Sequence, residues 1–132
     1  SPPPPLLLTP LPLAVPGAIA LGDGWRCVAQ LEPPAAPSPW WVALDAAALD
    51  GPLELRRRRP GDRFRPAGGR GSRRLQDFFV DQKLPRGLRE AWPILATPSS
   101  VVWVAGLRAD ARFAAREQSQ GTIWVGLTHD PA

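Results

Sequence analysis

Residues 53–64 read LELRRRRPGDRF, and the rest of the chain is best read outward from them. Leu53 and Leu55 alternate with Glu54, Arg56 and Arg58, the period of a β-strand through Arg58 with its leucines toward a core. Pro60-Gly61-Asp62 then makes a tight turn, since proline presets one corner and glycine accepts the left-handed backbone of the next. Phe64, between Arg63 and Arg65, has two readings. It stacks on a terminal base of a nucleic acid, or it anchors the loop in the core.

Downstream lies a Gly-rich loop, Pro66 to Gly71. Ser72 is placed as the N-cap of a short helix through Val80. Leu75, Phe78 and Phe79 then fall at i, i+3 and i+4 on one apolar face, leaving Arg73, Arg74 and Gln76 toward solvent. A second short helix starts at Pro85 and ends before Pro93, with Leu88 and Trp92 inward and Arg86 and Arg89 on an outer face. Val101 to Ala105 (VVWVA) is apolar on both faces, as a central strand should be. Gly106 turns the chain into a less regular piece carrying Arg108, Arg112 and Arg116, and Thr122 to Leu127 is the final strand.

Upstream, Asp50-Gly51-Pro52 is a turn, Asp45 to Leu49 one helical turn, and Trp40 to Leu44 a short strand. Trp25 to Leu31 is a strand with Trp25, Cys27, Ala29 and Leu31 on one face. Leu11 to Leu21 holds strand pieces around Pro16-Gly17. Residues 1–10 read as a Pro-rich linker and 11–132 as a single domain. The sum is about six or seven strands and about two short helices, a β-dominated α+β domain.

Charge is distributed unevenly. Residues 56–89 hold twelve of the sixteen basic groups against three acids, Asp62, Asp77 and Asp81, a formal +9. Four basic and nine acidic groups elsewhere give −5, and the two parts make the net +4. Such segregation points to a polyanion, with RNA or DNA the default. Eleven of those twelve are arginine, whose planar fork suits phosphate oxygens and stacks on bases. Phosphate contacts of this kind weaken binding by about 0.7–0.9 log units per contact for each log unit of salt. They set affinity and register, and in duplex RNA they suit helix ends, unpaired termini and backbone shape.

Other chemistries are poorly provided for. The single Cys27 excludes an internal disulfide framework, and His129 is the only histidine, so metal sites and His-based triads lack ligands. The GGRGS stretch has neither the spacing of a phosphate-cradling loop nor a dinucleotide fingerprint, and no G-x-S-x-G occurs. Neither a catalytic nor a metal site is assigned. Residues 1–22 are uncharged, but seven prolines within the first sixteen residues break any spanning helix, so no membrane is expected. Methionine is absent, which makes the chain a processed product or, as expected here, a piece of something longer.

Taken in order, Arg56-Arg57-Arg58-Arg59-Pro60-Gly61-Asp62-Arg63-Phe64, LQDFFV at 75–80, Pro85 with Arg89 and Pro93, and Trp103-Val104-Ala105-Gly106 form one motif string. The string resembles the C-terminal domain of bacterial tRNA(Ile)-lysidine synthetase, over 53–108 and more faintly from Pro12 to Gly24. Arg73, Arg74 and Gln76 stand where that family often has lysines.

The resemblance implies a β-sandwich of unusual topology with about two short helices, similar to a domain of the phenylalanyl-tRNA synthetase β subunit. It implies a parent ligase that uses ATP, with Mg, to join lysine to the wobble cytidine of a minor isoleucine tRNA. Those cofactors would belong to an N-terminal catalytic domain whose Ser-Gly-Gly-x-Asp-Ser loop is missing here, and none would belong to this chain. The expected partners are the acceptor end of that tRNA and the catalytic domain of the same enzyme, in the cytoplasm. Arg56, Arg58, Arg63, Arg65, Arg70, Arg73, Arg74, Lys83, Arg86 and Arg89 are the candidate RNA contacts. Gly61, Gly68, Gly69 and Gly71 should shape the loop, and Trp92, Trp103, Phe78 and Phe79 the core. Two alternatives remain open: a scaffold module docking on the catalytic domain, and a free-standing RNA-binding protein.

Overall fold

The structure, a computed structural model, describes residues 3–130. Eleven strands occur among these residues. They are β1 (Leu11–Leu13), β2 (Gly17–Gly22), β3 (Trp25–Gln30), β4 (Trp41–Asp45), β5 (Leu53–Arg56), β6 (Arg63–Phe64), β7 (Arg73–Arg74), β8 (Ile94–Ala96), β9 (Val101–Val104), β10 (Arg108–Ala109) and β11 (Thr122–His129). Helices α1 (Leu75–Asp81) and α2 (Arg86–Arg89) lie between β7 and β8, and one 3-10 turn, Ala46–Ala48, follows β4. The strands form a five-stranded sheet in the order β1-β5-β8-β9-β10, a four-stranded sheet in the order β2-β3-β11-β4, and the two-stranded ribbon β6-β7. All pairings are antiparallel.

The five-stranded sheet is covered on both faces. Leu11, Leu55, Leu95 and Trp103 are successive cross-strand partners. Their row packs against Trp25, Cys27, Ala29, Leu44, Val125 and Leu127 of the other sheet. The opposite row runs Arg56, Ile94, Val104, Arg108. Ile94, Val101 and Val104 meet a second core of Phe64, Leu75, Phe78, Phe79, Leu84 and Trp92. Each large side chain so buried contributes about 1.5–3 kcal/mol. Trp40 touches both cores, and Gly106 (φ 73°) makes room for it: a Cβ there would lie 2.7 Å from its ring. Cys27 is fully buried in the first core, and burial pushes its thiol up to about 12.

Several expectations hold. Leu75, Phe78 and Phe79 are the buried residues of α1, Pro85 precedes α2, and Trp92 is buried with Leu88 against the second core. VVWVA is buried throughout, in a strand flanked on both sides. Asp45 caps the expected helical turn, its carboxylate accepting from the Ala47 N–H at 3.1 Å.

Others are corrected. α1 begins at Leu75, not after a Ser72 cap: the Ser72 hydroxyl accepts from Arg63 Nε at 3.0 Å, and the Leu75 N–H donates to the Asp62 carbonyl at 3.0 Å. Arg73–Arg74 pairs as a strand instead. Leu31 is 57% exposed because β3 ends at Gln30, one residue before it. Phe64 is 1% exposed and meets Phe78 edge-on, centroids 5.0 Å apart, so it anchors the loop and has no face for a base. The strand count exceeds expectation because segments of two or three residues carry no readable period and exist only through remote partners. Of the 1–10 segment, Ser1 and Pro2 lie outside the described residues. Leu7 is buried in the first core and its N–H donates to the Ala91 carbonyl at 2.8 Å.

Candidate nucleic-acid interface

The four arginines of 56–59 take four different courses. Arg56 extends along the row facing the second core and is buried. It donates to both Asp62 carboxylate oxygens, at 2.8 and 3.2 Å, and to the Arg57 carbonyl at 3.0 Å. Asp62 also accepts the Arg59 N–H at 2.7 Å and returns its own N–H to the Arg59 carbonyl at 3.0 Å, closing the turn that Gly61 (φ 85°) permits. Arg56 therefore ties the turn to the sheet rather than facing solvent, which corrects its reading as an outward residue. The alternation of β5 is as expected, but its second face is roofed. Arg57 is exposed, and Arg59 is half-exposed with Glu54 at 3.6 Å. Arg58 is largely buried, its Nη2 2.6 Å from Glu90 Oε1 and its buried Nε without a partner.

Asp110, fully buried, performs the corresponding task for the Gly-rich loop. It accepts the Arg65 N–H at 2.9 Å, the Arg112 N–H at 2.8 Å, and Arg112 Nε and Nη2 at 3.1 and 3.0 Å. Arg108 donates to the Ala67 carbonyl at 3.2 Å and lies 5.8 Å from the Phe78 ring centroid. Gly68 and Gly71 adopt φ of 80° and 64°, whereas Gly69 stays in ordinary backbone and donates to the Pro66 carbonyl at 2.9 Å.

The remaining candidates stay outside. Arg63, Arg65, Arg70, Arg74, Lys83 and Arg86 are exposed, while Arg73, half-buried, pairs with Asp81. Arg89 is half-buried and spends its Nε on the Leu84 carbonyl at 2.7 Å. Among the described residues, the side chains of Arg57, Arg65, Arg70, Arg74, Lys83 and Arg86 have no hydrogen-bond or ion-pair partner. Arg63 sits directly opposite Arg74 on the β6–β7 ribbon, a like-charge pairing that costs a strand pair stability.

Part of this charge converges. Between the 58–62 corner and α1–α2 runs a cleft in two lobes. A lobe of about 230 Å³ is lined by Arg58, Pro60, Gly61, Asp62, Arg74 and Gln76. Another, of about 310 Å³, is lined by Arg58, Gln76, Phe79, Val80, Arg86, Arg89 and Glu90. Arg58 and Gln76 line both. Arg63, Arg65, Arg70, Arg73 and Lys83 do not line it.

Sequence reasoning left out Arg59 and Arg112. With Arg63, Ser99 and Ser100 they border a separate cavity of about 270 Å³. No local pattern links Arg112 to Arg63, and only the Asp110 anchor brings them together. Beside it, Asp50 accepts the hydroxyls of Thr97, Ser100 and Ser99, and the Thr97 and Ser100 bonds hold its carboxyl below the usual carboxylate range.

A family model described as "TilS substrate C-terminal domain" matches residues 53–125, from β5 through most of β11. The chain belongs to that family. Similar relatives include the tRNA(Ile)-lysidine synthase of Symbiobacterium thermophilum, 41% identical over 91% of this chain and 26% of that protein. The tRNA(Ile)-lysidine synthase of Geobacter sulfurreducens is 34% identical over 83% of this chain and 25% of that protein. The chain thus spans about a quarter of the length of the curated relatives it matches. A crystal structure of a TilS C-terminal domain superposes with a TM-score of 0.78 at 29% identity, covering 94% of this chain and 98% of that one. The TilS C-terminal fold is therefore the fold of this chain, β-rich with two short helices, and every element of the cleft lies inside the family match.

Proposed function

We propose that this TilS C-terminal domain is the non-catalytic, RNA-gripping part of a tRNA(Ile)-lysidine synthetase, and that it holds the acceptor end of the isoleucine tRNA. In this reading ATP, Mg and the chemistry that joins lysine to the wobble cytidine belong to the catalytic domain of the same enzyme, in the cytoplasm. The observation that carries it is the cleft. Arg58, Arg74, Arg86 and Arg89 come from three separate elements to one concavity, and two of them, Arg74 and Arg86, have no internal partner. Their guanidinium groups need neither break a bond nor lose a cap to meet phosphate. Family membership and the synthase relatives favour tRNA over other polyanions.

The test is a low-salt titration of tRNA with the chain and with a double variant, Arg74→Glu/Arg86→Glu. Affinity should fall at least about tenfold while the unfolding midpoint does not fall, since the change at Arg74 also removes its like-charge pairing with Arg63. Equal affinity for the two proteins would reject the reading. This pair is a cleaner probe than Arg73/Arg74, because reversing Arg73 would also set two carboxylates against each other at Asp81.

A second reading, docking on the catalytic domain, draws on the exposed Leu6 and on Leu8, which is 75% exposed beside the Arg56–Pro60 corner. Under it, the double variant would bind tRNA normally, and an added catalytic fragment would bind the chain without RNA.

A further inference from the structure

The larger lobe of the cleft differs in chemistry from the cavity bordered by Arg59, Arg63 and Arg112. The cavity at Arg59, Arg63 and Arg112 is lined mainly by charged and hydroxyl groups, and Asp62 and Asp110 already engage Arg56 and Arg112 there. In the larger lobe three guanidinium groups, of Arg58, Arg86 and Arg89, face one carboxylate, Glu90. They share the space with carbon. Val80 is 50% exposed although the other apolar residues of α1 are buried, and Phe79 lies behind it.

Gln76 completes the wall, and among the described residues neither its amide nor the Arg86 guanidinium has a partner. The buried Arg58 Nε also lacks one. A phosphate alone would use the arginines and the Gln76 amide and leave the exposed Val80 without a role. An apolar ligand would leave the Arg86 guanidinium and the surplus positive charge of the lobe unanswered, since Glu90 pairs with Arg58 alone. A group that is flat, apolar on its faces, polar at its edge and attached to a phosphate answers all of them, and about 310 Å³ is at the small end of ligand pockets.

We infer that this lobe is a subsite for one unpaired nucleotide of the bound RNA. Its base lies against Val80 and a guanidinium plane, its edge within reach of the Gln76 amide, and its phosphate is held by the remaining arginines. The inference rests on the proposed RNA-gripping function and refines it. The domain reads a strand end or an extruded nucleotide, in addition to holding backbone.

The test uses the chain and three short RNA hairpins: one blunt, one with a single unpaired 3′ nucleotide, and one with an abasic residue in that place. The last keeps sugar and phosphate and removes the base. Fluorescence anisotropy should rank the base-bearing overhang tightest, with the abasic form weaker by about fivefold or more. In Val80→Ser the difference between those two should close, through weaker binding of the base-bearing hairpin, while the unfolding midpoint does not fall, a result that mere destabilisation would not give. Equal affinity for the base-bearing and abasic hairpins overturns the subsite and leaves the RNA-gripping function standing. Failure of the chain to bind any hairpin or tRNA overturns both. A gap that persists in Val80→Ser moves base recognition out of this lobe and overturns the assignment.

Discussion

Leu55 and Arg56 are neighbours on β5, yet they belong to regions built on different principles. Leu55 faces the core between the two sheets, where Leu95, Trp103, Cys27 and Val125 meet it and carbon packing does the work. Arg56 faces the lobe that carries the arginines. There the aromatic pair Phe64–Phe78 and two carboxylates, Asp62 and Asp110, fix a chain that would otherwise repel itself. In the first region every inward group is satisfied by burial. In the second, acids are too few to neutralise the bases: Asp62 and Asp110 hold turns, and Asp81 and Glu90 each pair with one arginine. The surplus guanidinium groups remain outside by arithmetic, and their position is set by the few that are tied down.

The strongest way to break this contrast is to remove one of those ties. Asp62→Ala leaves buried Arg56 with only the longer ion pair to Glu54, at 3.8 Å, and should cost about 3 kcal/mol in urea unfolding. Arg57→Ala, one residue along the same run but exposed, should stay within about 0.5 kcal/mol. Similar costs for the two would mean the run is not divided as described.

A pH series tests the carbon-packed region next. Cys27 ionises near 9.0 when free but only near 12 in its buried site, so the folded state disfavours the thiolate. Its contribution is intact below pH 9.0 and is lost as pH rises toward about 12. The loss should be about 1.4 kcal/mol per pH unit in that window. Cys27→Ala should flatten the decline, and an unchanged slope would place the titration elsewhere.

Salt dependence sharpens the second region. Arg74→Ala and Arg86→Ala should each reduce the slope of log affinity for tRNA against log salt by about one, with neither lowering the unfolding midpoint. The smallest effect concerns Arg73. Releasing it from Asp81 by Asp81→Asn should tighten tRNA binding by no more than about threefold, since exposed ion pairs are weak. Weaker binding would show that the pair holds α1 in place for the RNA.

Much of both cores is readable from the sequence. The alternation at Leu53 and Leu55, the doubly apolar Val101–Ala105 and the Leu75/Phe78/Phe79 spacing each mark a face by period alone. The motif string from Arg56 to Gly106 carries the family. What is missed has a common cause. β8 and the β6–β7 ribbon are too short to have a period, and Ser72 looks like a helix cap only until Arg73 and Arg74 are seen to pair with Phe64 and Arg63. In the candidate site, the β5 alternation sets Arg56 and Arg58 opposite the leucines and Arg57 with them, yet Arg56 is buried and Arg57 exposed, and nothing local signals that the second face is covered.

By itself the sequence determines that a basic segment, surplus in arginine, is joined to strands with one apolar face each. Hydrophobic period and charge count are properties of the chain. Only the tertiary structure decides which arginines the surplus comprises. Burial of Arg56 goes with Asp62 folding back onto it across the turn, and Arg74 and Arg86 stay free while Glu90 and Asp81 answer Arg58 and Arg73. Both follow from pairings that run from Arg56 with Asp62 across one turn to Arg58 with Glu90 across two helices, where Coulomb attraction and desolvation act through space and not along the backbone.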